Sequence, residues 1–178
     1  EGEVRRMKAK NITEMEGTLP RDVLPTVDLY MDQVIQLFEQ HYGKMKRDED
    51  ETILTKTMIN NYAKGKLFHP VKNKKYTNEH LMLLSLIYEM KGLLSINDIK
   101  ETLRPLNESD ETFSLEDFYE AYQAQKVKNL EAFEVQADTL LHASLEKESG
   151  VQRTLAIASA VHMSHLYQRL AEQLIDEE

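Results

Sequence analysis

Residues 52–80 read TILTKTMINNYAKGKLFHPVKNKKYTNEH. Short helix, turn and strand signals follow one another here, and the charge of the chain changes sign. Lys56, Lys64, Lys66, Lys72, Lys74 and Lys75 face a single acid, Glu79, for a local balance of +5. The overall net charge is −9, so the other residues carry −14. A cationic island in an anionic protein marks one face for a polyanion while the rest repels it. Thr55 or Thr57 is placed to cap a short helix carrying Met58, Ile59, Tyr62 and Ala63, and Gly65 is expected to end it in left-handed geometry. Pro70 cannot continue a helix, so Leu67–Val71 reads as a short extended piece. Lys72–Lys75 then forms a polar turn, and Lys75-Tyr76 a return strand.

Outward from this stretch the chain is helical. Residues 1–25 read as an extended N-terminal segment, because Pro20 and Pro25 disfavour helix in the residues before them. Leu29, Tyr30, Val34, Leu37, Phe38 and Met45 recur at three- and four-residue steps, which predicts a helix over 27–46 capped by Thr26 or Asp28. Thr77 opens a helix with Leu81, Leu84, Ile87, Tyr88 and Met90 on its apolar side, ended by Gly92. Ser95 caps a further helix, Ile96–Leu103, halted before Pro105. Ser114 precedes a long stripe from Leu115 to Leu145, Ser149-Gly150 breaks it, and a second stripe runs from Leu155 to Leu174. Two long stripes joined by a tight break predict an antiparallel helical hairpin.

The fold expected is therefore all-α: a winged helix-turn-helix-like head with a small β wing at 26–108, then a helical hairpin at 112–178. Ten Gly and Pro together in 178 residues, with 41% hydrophobic residues, agree with a helical protein that builds its own core. The absence of cysteine excludes disulfides and thiolate metal sites and is compatible with a cytoplasmic location. No apolar run approaches the length of a membrane span, and no leader segment is read.

Thr57, Asn60, Asn61 and Lys64 share spacing on the short helix. Asn pairs with adenine in the major groove, and Lys reads guanine or phosphate. Lys66, Lys72, Lys74, Lys75 and Tyr76 supply backbone contacts that set register. The segment TMINNYAKGKLFHPVKNKKYTNEHLMLLSLIYEMKGLLSINDIKETL resembles the MerR-type winged helix-turn-helix. Ile59-Asn60-Asn61-Tyr62 stands at the recognition helix, Lys66-Leu67-Phe68 at the following turn, Lys74 and Tyr76 in the wing, and Gly92-Leu93-Leu94-Ser95-Ile96 at the later step. Asn60 and Asn61 replace the usual Arg and Tyr, so no base preference carries over. LPTVDLYMDQVI, taken with the same segment, is similar to the bacterial family called domain of unknown function 1836. The MerR-type resemblance implies duplex DNA binding by a transcriptional regulator, and the long C-terminal stripes are expected to dimerise, giving a homodimer for two half-sites.

Competing readings are a protein-interaction adaptor on a winged-helix scaffold, and a small-ligand or metal sensor acting through the hairpin, where an effector would sit. His142, His162 and His165 are the only metal candidates, since imidazoles three apart share a helical face. No cofactor and no enzyme activity are expected. Ser164 and His165 are adjacent on one helix and do not face each other, and no glycine loop cradles phosphate.

Overall fold

The computed structural model describes residues 17, 19–108, 114–145 and 150–177, and the side chains of 142–145 are not part of that description. Among the described residues six α-helices and one two-stranded antiparallel sheet make up the fold: β1 (Leu29–Tyr30), α1 (Met31–Tyr42), α2 (Lys56–Lys64), β2 (Lys75–Tyr76), α3 (Asn78–Met90), α4 (Ile96–Asn107), α5 (Leu115–Leu145) and α6 (Gly150–Asp176).

Helix α3 is the centre of the core. Spacing alone predicts one apolar side, yet every residue from His80 to Ile87 is buried. LMLLSLI is apolar on all faces, and a helix of that kind is surrounded. Around it lie Val34 and Phe38 of α1, Ile59 and Tyr62 of α2, Ile99 and Leu103 of α4, and Leu115 and Tyr119 of α5. The packed core thus runs from Leu19 into the first two turns of α5. Beyond Lys126, which pairs with Glu89 of α3, α5 leaves the head, and α6 contacts both α5 and α4.

The helix expected over 27–46 starts later. Leu29 and Tyr30 are extended and pair with Tyr76 and Lys75, so α1 begins at Met31. The Gln33 side-chain oxygen accepts the Tyr30 N–H at 2.8 Å, filling the role expected of Thr26 or Asp28. This pairing also alters the expected hairpin. Lys72 and Lys75 form only an isolated bridge, and the strand partner of β2 is Leu29–Tyr30 rather than Leu67–Val71. The end of α2 differs as well. Gly65 keeps φ −71°, and Lys66 takes the left-handed position at φ 58°. Leu67 N–H bonds to the Tyr62 carbonyl and Lys66 N–H to that of Ala63, the two bonds of a Schellman cap. Gly65 is needed for space: a Cβ there would lie 2.7 Å from Leu67 Cδ1.

Thr55, Ser95 and Ser114 each accept a first-turn backbone N–H, capping α2, α4 and α5. Helix α4 continues to Asn107 instead of stopping before Pro105. The proline sits in the last turn and forfeits one intrahelical bond. Asn107 Nδ2 holds that end by donating to the carbonyls of Leu67 (2.9 Å) and Leu103 (3.1 Å).

The N-terminal segment is pinned through one residue. Leu19 is fully buried, and its N–H donates to Tyr42 Oη, which is 2.6 Å from Ser85 Oγ. Its carbonyl accepts from Tyr119 Oη at 2.7 Å and from Gln123 Nε2 at 3.2 Å. Burial raises both phenols, that of Tyr119 to about 12, so both stay protonated. Arg21 adds ion pairs to Glu116 and Glu120 of α5. We predict that Tyr119→Phe costs about 1 kcal/mol, because Gln123 still serves the Leu19 carbonyl. Tyr42→Phe should cost more, about 2–3 kcal/mol, because it strips the partner from both the Leu19 N–H and the Ser85 hydroxyl. Urea unfolding of the two variants measures the order.

Candidate functional site

Helix α2 divides cleanly. Ile59 and Tyr62 are buried and Met58 half-buried, while Lys56, Thr57, Asn60, Asn61 and Lys64 are exposed. At 100° per residue Thr57, Asn60 and Lys64 stand opposite the buried stripe, with Asn61 beside them. None of these four side chains is committed to a hydrogen bond within the described residues. Thr57, Asn60, Asn61 and Lys64 are thus brought together on one solvent-facing stripe.

The basic loop and α2 both reach the start of α1. Lys56 Nζ is 2.6 Å from Asp32 Oδ1, and Lys75 Nζ is 5.6 Å from the centre of the Tyr30 ring, within cation–π reach. Lys56 and Lys75 therefore both reach the same short stretch, residues 30–32. Lys64 and Lys66 stand at the other end of α2, about 12 Å along its axis. Lys64, Lys66, Lys72, Lys74 and Lys75 are exposed, and among the described residues none has a carboxylate within ion-pair distance. Lys56 is the exception, neutralised by Asp32. Glu79 is drawn off toward His69, 3.6 Å away.

Tyr76 does not belong to this surface. It is 4% exposed, and its ring packs edge-on to Phe68 and His80. Strand alternation explains the difference: Lys75 points out and Tyr76 in. Its role is to anchor the turn that carries Lys74 and Lys75.

His80, which no sequence signal marks as a site, governs how that turn meets the core. It occupies the third position of α3 and is 2% exposed. Its Nδ1 accepts the Thr77 N–H at 3.1 Å, which leaves the proton on Nε2, 3.0 Å from the His69 carbonyl. The ring thus replaces the Glu or Gln of a capping box and ties α3 to the residue before Pro70. The Thr-x-x-Glu/Gln signature does not include His, so spacing does not reveal it. Burial, with His69 beside it, pulls His80 down from 6.5 to about 4.

Among the described residues positive φ occurs only at Lys66 (58°), Asn73 (53°) and Lys74 (60°). Asn73 and Lys74 are the two central residues of the turn closed by Lys75 N–H to the Lys72 carbonyl at 2.9 Å. Two positive φ values in a two-residue turn are the sign pattern of type I′, for which Asn-Gly is favoured. Lysine at the second position costs roughly 1–2 kcal/mol relative to glycine.

His162 and His165 are exposed on α6, the His142 side chain lies outside the described residues, and among the described residues no group of three or more His, Asp or Glu is placed to hold an ion. Among those same residues no helix is long and apolar enough to cross a membrane.

Comparison with known families adds one finding. The family model described as Domain of unknown function (DUF1836) matches residues 20–122, more than half of the chain, and the chain belongs to that family. The matched span begins beside Leu19 and ends at Tyr122, the limits of the packed core. No curated protein matches the chain, and no solved structure does.

Two outcomes follow from these environments. Lys74→Gly should raise stability by about 1 kcal/mol in denaturant titration, because glycine relieves the left-handed backbone. The second concerns pH. The unfolded chain protonates His80 near 6.5 and the folded one only near 4. Stability is therefore complete above pH 6.5 and drains away as pH falls toward 4, by on the order of 3 kcal/mol. His80→Gln keeps a cap acceptor without a titrating ring. It should flatten the slope of the unfolding free energy between pH 6.5 and 5.

Proposed function

We propose that the head is a MerR-like winged helix-turn-helix that binds duplex DNA sequence-specifically, and that the protein is a non-enzymatic transcriptional regulator of the bacterial cytoplasm. In this reading α2 is the recognition helix, and the Lys72–Lys75 turn, anchored by β2, is the wing. Thr57, Asn60, Asn61 and Lys64 meet base edges in the major groove, where Asn is suited to adenine and Lys to guanine. Lys66, Lys72, Lys74 and Lys75 meet phosphates and fix register. The acidic remainder of the chain keeps the rest of the molecule off the polyanion.

One observation carries the reading. Five lysines of a strongly anionic protein stand exposed and, among the described residues, without an ion pair, in the same stretch of chain as an uncommitted Thr-Asn-Asn-Lys stripe, and two of them, Lys66 and Lys74, occupy backbone positions where glycine would be more stable. Backbone strain retained at exposed lysines points to a use for the side chain. The same arrangement would serve an adaptor meeting an acidic protein surface. Asparagines at the centre of the stripe favour nucleic acid, because the amide pairs bidentately with a base edge.

The reading is tested by fluorescence anisotropy on duplexes selected from a random pool, over a range of salt. Wild-type protein should bind with a steep negative dependence of log K on log salt. Lys74→Glu with Lys75→Glu should lower affinity at least 100-fold and reduce the slope by about 0.9 for each phosphate no longer neutralised. Asn60→Ala should instead lower discrimination among duplexes by about 1–3 kcal/mol with the slope unchanged. Wild-type protein that enriches no sequence and shows no salt dependence would remove the DNA reading.

A further inference from the structure

Asp32, in the first turn of α1, sets an anion against the first residue of α2. Its Oδ1 lies 2.6 Å from Lys56 Nζ, a short charge-assisted contact. Among the described residues Lys56 is the only one of the six lysines in residues 52–80 with a carboxylate within ion-pair distance. The backbone on either side of the acid is fixed. Leu29 and Tyr30 before it are paired with Tyr76 and Lys75, and Gln33 after it closes the turn by accepting the Tyr30 N–H at 2.8 Å. Asp32 therefore stands at the start of α1, the place that Lys56 of α2 and Lys75 of β2 both reach.

Stability does not explain this pair. The Asp32 side chain is 75% exposed and that of Lys56 64%, and a pair so open to water adds little to the folded state. The α1 dipole favours an acid in the first turn with or without a lysine opposite. What the contact does change is the charge along α2. Asn60 follows Lys56 by four residues, so the two share one side of the helix. Without Asp32, a sixth exposed ammonium would stand one turn from an asparagine placed to read a base edge. With Asp32 in place that charge is cancelled where it arises.

We infer that Asp32 withholds Lys56 from the DNA backbone. The carboxylate occupies the ammonium that a phosphate would otherwise take, and it repels phosphates in its own right. One sequence-independent contact is thereby removed at the side of the stripe that carries Asn60. Binding to an arbitrary duplex is weakened, because phosphate contacts supply it and carry no sequence information. The inference rests on the proposed function and adds to it an acid that limits how strongly the basic surface holds any DNA.

The full-length protein is tested by fluorescence anisotropy on a selected duplex and a scrambled one of equal length, from roughly 50 to 300 mM salt. Asp32→Asn should bind both duplexes about fivefold tighter at the low end, the attraction of one charge pair near contact in water. Its slope of log K on log salt should steepen by about 0.9, one further phosphate neutralised. Asp32→Glu keeps the carboxylate and should behave as wild type. Asp32→Asn with Lys56→Gln should return the wild-type slope, because removing the pair as a unit removes no phosphate contact. Three results overturn the inference while leaving the DNA reading in place. Asp32→Asn with an unchanged slope would mean that Lys56 is not released to a phosphate. A change of affinity confined to the selected duplex would mean that Asp32 reads a base. A double variant flatter than wild type by about 0.9 would mean that Lys56 already meets a phosphate. Wild type without salt-dependent binding to either duplex removes the DNA reading and this inference with it.

Discussion

The fold depends on how the backbone of one buried residue is satisfied. Leu19 enters the core from the N-terminal side, and both polar groups of its backbone go with it. A buried amide without partners would cost on the order of several kcal/mol, comparable to the whole stability of a domain this size. Tyr42 of α1 takes the N–H, Tyr119 and Gln123 of α5 take the carbonyl, and Ser85 of the central helix closes on Tyr42. Three helices distant in sequence are thereby aligned on a single residue. With them aligned, α3 is enclosed on all sides, and α2 and the basic turn are left at the surface.

That division explains the two-sided character of residues 52–80. The inward half of the segment is tightly held: Ile59, Tyr62, Leu67, Phe68, Tyr76 and His80 are buried and packed against one another. Among the described residues the outward half is held only by the Lys56–Asp32 ion pair and the contact of Lys75 with the Tyr30 ring. A loop meant only to connect α2 and α3 would use Asn-Gly at its turn and Gly at the helix end. This one places Lys74 and Lys66 there. The rigid inner half supplies the support that makes an exposed, strained and positively charged outer half possible.

Much of this is legible in the sequence, and the exceptions have physical causes. The 3.6-residue periodicity locates all six helices, and Thr55, Ser95 and Ser114 announce their caps, because both signals are local. The start of α1 escapes that reading because Leu29 and Tyr30 fit the apolar period while being held extended by Tyr76 and Lys75 of β2, far along the chain. Tyr42 and Tyr119 escape it because they are recruited for their hydroxyls, and periodicity counts only apolar bodies. The left-handed φ expected of Gly65 falls on Lys66, since the close approach of the Leu67 side chain is not visible in one dimension. The polar stripe of α2 is readable because exposure there follows from the position of Ile59 and Tyr62. Tyr76 is expected at the surface and lies in the core, because alternation in a two-residue strand needs a partner strand to fix its phase.

The central claim concerns which lysines a polyanion would cover, and residue-resolved acetylation measures that directly. The protein is treated with an acetylating reagent in the presence and absence of a selected duplex, and each lysine is quantified by mass spectrometry. The account predicts strong protection of Lys64, Lys66, Lys72, Lys74 and Lys75, with Lys44, Lys100 and Lys128 reacting equally in both samples. Equal reactivity of all lysines, or protection confined to Lys100 and Lys128, would contradict it.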